Sequence, residues 1–226
     1  MRLITAIHRD SDDSYHAMLH NLRLSAQLIG YDVEAYVIDN SDGWRRDVKQ
    51  FVPCYFKPYI IAKALQADTG DVLWVDLDCL MISRVDDMLG DCDVCVTLKR
   101  IQDRKMDHPK VMYNGYINAG VMAFRNNDAT RSFMHVWSTS LNSSISDQDA
   151  INAVLLQRSD LIEYNELICI DGCRIKVAPC DMYNYFYFGD QFEHVARILH
   201  FKGRLRPRYY NQYAQMVLGS TANLNP

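Results

Sequence analysis

The chain has 226 residues, 49% hydrophobic and 23% charged, with a formal net charge of -4. This balance suits a soluble globular protein and excludes an intrinsically disordered one, and the length allows a substantial α/β core without disulfides. The weak negative charge excludes a general affinity for nucleic acid or anionic membrane, and no run approaches the roughly eighteen apolar residues of a membrane span.

Met1-Arg2-Leu3-Ile4 enters a strand-like run at once, so no signal peptide is expected. Seven cysteines, an odd number without the dense spacing of a secreted scaffold, predict a reducing compartment and a cytoplasmic location. Cys92-x-x-Cys95 and Cys169-x-x-x-Cys173 invite a zinc reading. A spacing of three within a strand would set Cys92 and Cys95 on opposite faces, so buried free thiols are expected instead.

In chain order, Arg2 to Ile7 reads as a buried strand, and Ser14 to Ile29 carries Met18, Leu19, Leu22, Ala26 and Ile29 at helical spacing before Gly30. Val33 to Ile38 is a second strand. Pro58 fits the first turn of a helix running to about Gln66, and Asp68-Thr69-Gly70 turns the chain into a third strand, Val72 to Val75. This β-α-β-α-β order predicts parallel pairing with right-handed crossovers, with ligands bound beyond the carboxyl ends of the strands. Further strands are expected at Asp93 to Leu98, Ile117 to Phe124, Leu167 to Ile170 and Ile175 to Val177. Helices are expected at about Ala129 to Leu141 and Asp147 to Gln157. Lys99 to Gly115 reads as a binding loop or lid, and the chain after Pro179 as aromatic and irregular. No repeat or linker marks a boundary, so residues 1–226 are read as a single α/β domain.

The third strand runs into two carboxylates in D-V-L-W-V-D-L-D, Asp71 to Asp78. Strand alternation would put Asp76 and Asp78 on one face. Two like charges at that range oppose joint ionisation, and a divalent cation relieves them. The bland alternative is a pair of solvated turn aspartates.

Three more segments accompany this pair: Asn118-Ala119-Gly120 through Phe124, Asp147-Gln148-Asp149, and His200-Phe201-Lys202-Gly203-Arg204-Leu205-Arg206-Pro207. In this order on a βαβ framework they resemble glycosyltransferase family 8, the retaining GT-A enzymes that include the glycogenins and bacterial lipopolysaccharide glycosyltransferases. The resemblance implies a single GT-A (Rossmann-like) domain, with a mostly parallel central sheet flanked by helices. It implies hexose transfer from a nucleotide-diphosphosugar, a UDP-sugar by preference, to a hydroxyl of a glycan, lipid-linked sugar or protein. Retention and Mn²⁺, with Mg²⁺ as the alternative ion, are implied as well.

By this resemblance Asp76, Asp78 and His200 ligate the metal, and two carboxylates with one imidazole suit Mn²⁺ chemically. Arg206 stands where the family has a lysine on the diphosphate, with Lys202 and Gly203 in the same segment, and Arg208 replaces a tryptophan. Asn118, Ala119 and Asp147 would line the donor sugar, Gln148 its anomeric centre, and Asp149 donor or acceptor hydroxyls. His8 and Asp10 occupy the place of the base and ribose. Lys57 or Lys63 corresponds to a basic residue touching the donor. Competing with these roles, Ser146-x-x-Asp149 is also a helix capping box, and Gly120 a close-approach residue. Two other functions remain open: a sugar-nucleotide nucleotidyltransferase, disfavoured because Ile7 to Ser11 holds no glycine, and a non-enzymatic nucleotide-sugar binding module.

Overall fold

A computed structural model describes residues 1–39, 56–103, 115–144, 146–157, 163–191, 193–203 and 205–219. The elements are β1 (Arg2–His8), α1 (Asp13–Leu28), β2 (Val33–Ile38), α2 (Lys57–Ala67), β3 (Val72–Val75), β4 (Cys79–Met81), β5 (Val94–Leu98) and β6 (Ile117–Phe124). They continue with α3 (Asp128–Ser140), α4 (Asp147–Leu156), β7 (Leu167–Ile170), β8 (Cys173–Pro179), α5 (Cys180–Tyr183), β9 (Ile198–His200) and α6 (Leu205–Gly219). Much of the expected loop from Lys99 to Gly115, residues 104–114, lies outside the described residues.

Seven strands form one sheet in the order β2-β1-β3-β6-β5-β8-β7, and β4 pairs with β9 in a separate ribbon. Strands β1, β2, β3, β5 and β8 run one way, whereas β6 and the edge strand β7 run against them. The sheet is thus mostly parallel, as expected, with β6 inserted antiparallel between β3 and β5. Antiparallel neighbours such as β5 and β6 need no right-handed crossover between them, unlike the parallel strands of the β-α-β units.

Alternation along β3 divides the core. Val72 and Trp74 face the layer of α2, α3 and α4, packing with Ile61, Leu65, Phe133 and Trp137. Leu73 and Val75 face α1, where Leu22 and Ala26 meet Met81 and Met88. A third cluster of Met18, Leu80, Leu199, Phe201, Tyr210 and Ala214 seats the β4–β9 ribbon and α6 against α1. Neither the ribbon nor α6 was expected from the sequence. Cys92 lies in the turn before β5, not in the strand, so it and Cys95 share one apolar layer as free thiols, and burial pushes both thiols up.

The helix ends follow local chemistry. Asp12 Oδ1 accepts from Ser14 N–H at 2.9 Å to start α1. Gly30, at φ +79°, closes it with Gly30 N–H to Gln27 O and Tyr31 N–H to Ala26 O, a Schellman pair that needs the left-handed residue. Asn127 caps α3 through Thr130 N–H, and Ser146 caps α4, its Oγ accepting from Asp149 N–H at 3.0 Å. Among the described residues no helix is long and apolar enough to cross a membrane. Ser146→Ala is expected to lower unfolding free energy by about 0.5–2 kcal/mol in denaturant titration, with little change in turnover per folded molecule.

Candidate active site

The site lies at the carboxyl edge of the sheet, where β3 ends at Val75 and Asp76 to Asp78 turn the chain into β4. The two carboxylates therefore meet through a turn and not through strand pleating. Asp76 N–H still donates to Gly120 O at 2.7 Å, which anchors that turn to β6. The ribbon does the rest: Cys79 pairs with His200, so the imidazole at the end of β9 stands beside the turn.

His200 Nε2 lies 3.3 Å from Asp78 Oδ1 and 3.8 Å from Asp76 Oδ2. The other Asp78 oxygen is 3.1 Å from Arg206 Nε, and Arg206 also donates to Tyr15 OH at 3.1 Å. Asp76 receives Trp74 Nε1–H at 2.9 Å and Lys57 Nζ at 2.9 Å. Burial opposes ionisation of Asp78, but His200 and Arg206 outweigh it and hold the carboxyl below its usual range. Lys57 and Arg206 thus each set a cation against one of the two carboxylates.

Asp78, Cys79 and His200 also offer potential ligand atoms within 4.8 Å of one another. Cys79 is a poor member of that set, because burial, and then Asp78 and Asp76, push its thiol well above the usual range. Its sulfur belongs to the apolar layer behind the ribbon. Asp76, on the same nitrogen of His200, is the better third donor.

Gly120 serves this centre by having no side chain. A methyl group there would overlap His200 Cε1 and Nδ1, so the close approach expected at this glycine is made by an imidazole rather than by a strand. Beside it, Asn118 Oδ1 accepts from Gly120 N–H at 3.0 Å, leaving a buried Asn118 Nδ2 with no hydrogen-bond partner among the described residues.

The start of α4 faces the same edge. Gln148 Oε1 accepts from Ala119 N–H at 3.2 Å. Asp147 Oδ1 is 4.0 Å from Lys57 Nζ, while its buried Oδ2 has no hydrogen-bond partner among the described residues. Burial pushes the Asp147 carboxyl up to about 7, with Lys57 opposing the shift and Asp76 adding to it. Asp149 is buried, and its backbone N–H completes the Ser146 cap. The cap and the site contacts coexist because successive helical residues point in different directions.

Of the two candidate lysines, Lys57 is buried on Asp76 and on Ala119 O at 3.0 Å. Lys63 is exposed and stacks over Tyr36, with its nitrogen 5.9 Å from the ring centroid. His8 ends β1 on the same edge, its Nδ1 accepting from Asp10 N–H at 3.2 Å. Lys202 Nζ sits 3.4 Å from the Phe186 ring centroid, and burial, then Lys99, pull its pKa down to about 8. Gly203, at φ +55°, makes the turn that delivers Arg206 on the first turn of α6. Sequence reasoning missed Trp74 and Asn184. Trp74 was legible, since it stands two residues before Asp76 and reaches the same carboxylate.

No protein of curated function matches the chain. A glycosyltransferase involved in glycosylation of the major capsid of PBCV-1 is 15% identical, with TM-score 0.59, covering 96% of this chain and all of that one. The galactosyltransferase LgtC, in complex with donor and acceptor sugar analogues, is 15% identical, with TM-score 0.54 over 97% of this chain and 96% of its own. The glycosyltransferase GlyE of Streptococcus pneumoniae TIGR4 is 14% identical, with TM-score 0.53 over 98% of this chain and 63% of its own. These likenesses establish a shared GT-A fold. The profile of the nucleotide-diphospho-sugar transferases matches residues 12–203, and the chain accordingly belongs to that family, as a glycosyltransferase of the family 8 type.

Proposed function

We propose that the protein transfers a hexose from a UDP-sugar to a hydroxyl of a glycan, lipid-linked sugar or protein, with retention, using Mn²⁺ held by Asp76, Asp78 and His200. The observation that carries this reading is the convergence of both carboxylates on His200 Nε2 with Arg206 on the far oxygen of Asp78. The donor set fits the ion, since a mixed oxygen and nitrogen site favours Mn²⁺ over the harder Mg²⁺. Asn118 Nδ2 and Asp147 Oδ2, both buried without hydrogen-bond partners among the described residues, suit a ligand that donates and accepts hydrogen bonds, as sugar hydroxyls do. A bound ion would supply Lewis-acid charge to the diphosphate.

In the reaction proposed, the bond from the anomeric carbon to the diphosphate oxygen breaks and the acceptor oxygen bonds to that carbon on the same face. The acceptor proton passes to the departing phosphate. Arg206, with Lys202 and Gly203 in the same segment, adds positive charge at the leaving group. Gln148 is too weak a base to take a proton, so it positions the sugar and stabilises charge beside Ala119, with Asp149 assigned to hydroxyls of donor or acceptor. His8 and Asp10 are assigned to the nucleoside. Lys57 is favoured over Lys63 as the basic residue near the donor, because it alone of the two contacts Asp76. A single domain over residues 1–226 is supported by similarity across 96% of the chain, and a cytoplasmic location by the free thiols.

Asp78→Asn should abolish Mn²⁺-dependent UDP release while circular dichroism stays native; near-wild-type turnover would contradict the metal assignment. Arg206→Ala should weaken UDP binding by about 1.5–3 kcal/mol in calorimetry with Mn²⁺ present, and unchanged affinity would confine Arg206 to holding Asp78 and α6. Gln148→Ala should slow transfer ten-fold or more, about 1.4 kcal/mol of barrier, at constant UDP affinity. Loss of fold stability with intact turnover per folded molecule would reduce Gln148 to a strut between α4 and β6.

A further inference from the structure

Asn184 is fully buried behind His200, on the side away from the carboxylates. Its place is fixed by backbone pairing, because Tyr185 N–H donates to Ile198 O at 2.9 Å and His200 N–H to Tyr185 O at 2.7 Å. The side chain then makes three contacts. Nδ2 donates to Thr97 Oγ1 at 2.7 Å and to Asn118 O at 3.1 Å, and Oδ1 lies 2.8 Å from His200 Nδ1.

These contacts settle which way the amide points. Asn118 O can only accept, and Thr97 Oγ1, with Asn118 O in reach of its own proton at 2.8 Å, has a lone pair to offer Asn184. A flipped amide would aim Oδ1 at that lone pair and at a carbonyl oxygen, with two acceptors facing a third. Oδ1 must therefore face the imidazole, and an amide oxygen can only accept. In the neutral ring the single proton therefore belongs on Nδ1, and Nε2, beside Asp76 and Asp78, keeps the lone pair that a metal ion would take.

We infer that Asn184 is a positioning residue of the metal centre, holding the His200 proton on Nδ1 so that Nε2 is the ligating nitrogen. The chain of control runs from Thr97 on β5 and the Asn118 carbonyl on β6, through the amide, to the ring. The hydrogen bond also resists rotation of the imidazole about its χ2 axis, in the space that the missing side chain of Gly120 leaves for the ring. Outer partners of this kind commonly raise metal affinity ten- to a hundred-fold. The inference rests on the reading of Asp76, Asp78 and His200 as ligands.

The test uses ¹⁵N-labelled protein without metal, at a pH where the His200 ring is neutral, together with Mn²⁺ titration followed by electron paramagnetic resonance without nucleotide. Wild type should show the proton on Nδ1. Asn184→Leu should move it to Nε2 and weaken Mn²⁺ binding by about 10- to 100-fold. Asn184→Asp, which keeps the acceptor toward Nδ1 but sets its second oxygen against Asn118 O, should where it folds retain the Nδ1 proton and bind Mn²⁺ more tightly than Asn184→Leu, a rescue that a packing role does not predict. A wild-type ring protonated on Nε2 overturns the inference whether or not either variant folds. So does a folded leucine variant with unchanged tautomer and affinity, or a folded aspartate variant that loses metal. Failure of wild type to bind Mn²⁺ is a separate outcome: it removes the metal reading while the tautomer measurement still judges Asn184.

Discussion

The imidazole of His200 occupies the space where a side chain at position 120 would stand. One backbone position thereby performs two tasks: the Gly120 carbonyl holds the N–H of Asp76 at the start of the carboxylate turn, and the missing Cβ admits the ring that faces both carboxylates. The conformational freedom of glycine plays no part, since Gly120 is not among the residues with positive φ. Because the interior is close-packed, the ring has no second place to go without displacing buried neighbours.

Around that fit the charges are arranged in pairs across separate elements. Lys57 from the start of α2 reaches Asp76, and Arg206 from the start of α6 reaches Asp78. Each cation is partly or wholly withdrawn from water, so desolvation offsets much of the attraction within each pair, and loss of one partner, which strands the other charge, is poorly tolerated. Asp147 is the exception. Its carboxyl is buried close to Asp76 as well as Lys57, and the proton is favoured up to about pH 7. A group in that state can donate as well as accept.

The framework was legible because periodicity and caps agreed with it. Leu22 and Ala26 mark the buried stripe of α1, Gly30 its end, and Pro58 the start of α2. The spacing of Asp76 and Asp78 found the carboxylates for a partly mistaken reason, since a turn and not a pleat brings them together. What escaped was short or disguised. The three-residue strands β4 and β9 are too brief to carry a periodicity. Helix α6 starts in a basic run with Pro207 in its first turn, and Tyr210 and Ala214 are its only buried residues among those described, so hydropathy reads it as surface. Asn184 sits in a row of aromatics with no spacing signal, because its partners Thr97, Asn118 and His200 come from three strands distant in sequence.

The β4–β9 ribbon has a consequence for the order in which the molecule comes into being. Asp76 and Asp78 leave the ribosome early, whereas His200 follows more than a hundred residues later and Arg206 later still. Until β9 emerges, β4 has no strand to pair with, and the aromatic cluster that seats it on α1 lacks Leu199, Phe201 and Tyr210. Such long-range closure carries a loop-entropy cost that the local β-α-β units do not. The centre thus depends on β9 for completion, and a chain truncated before it would carry the carboxylates without the imidazole that they converge on.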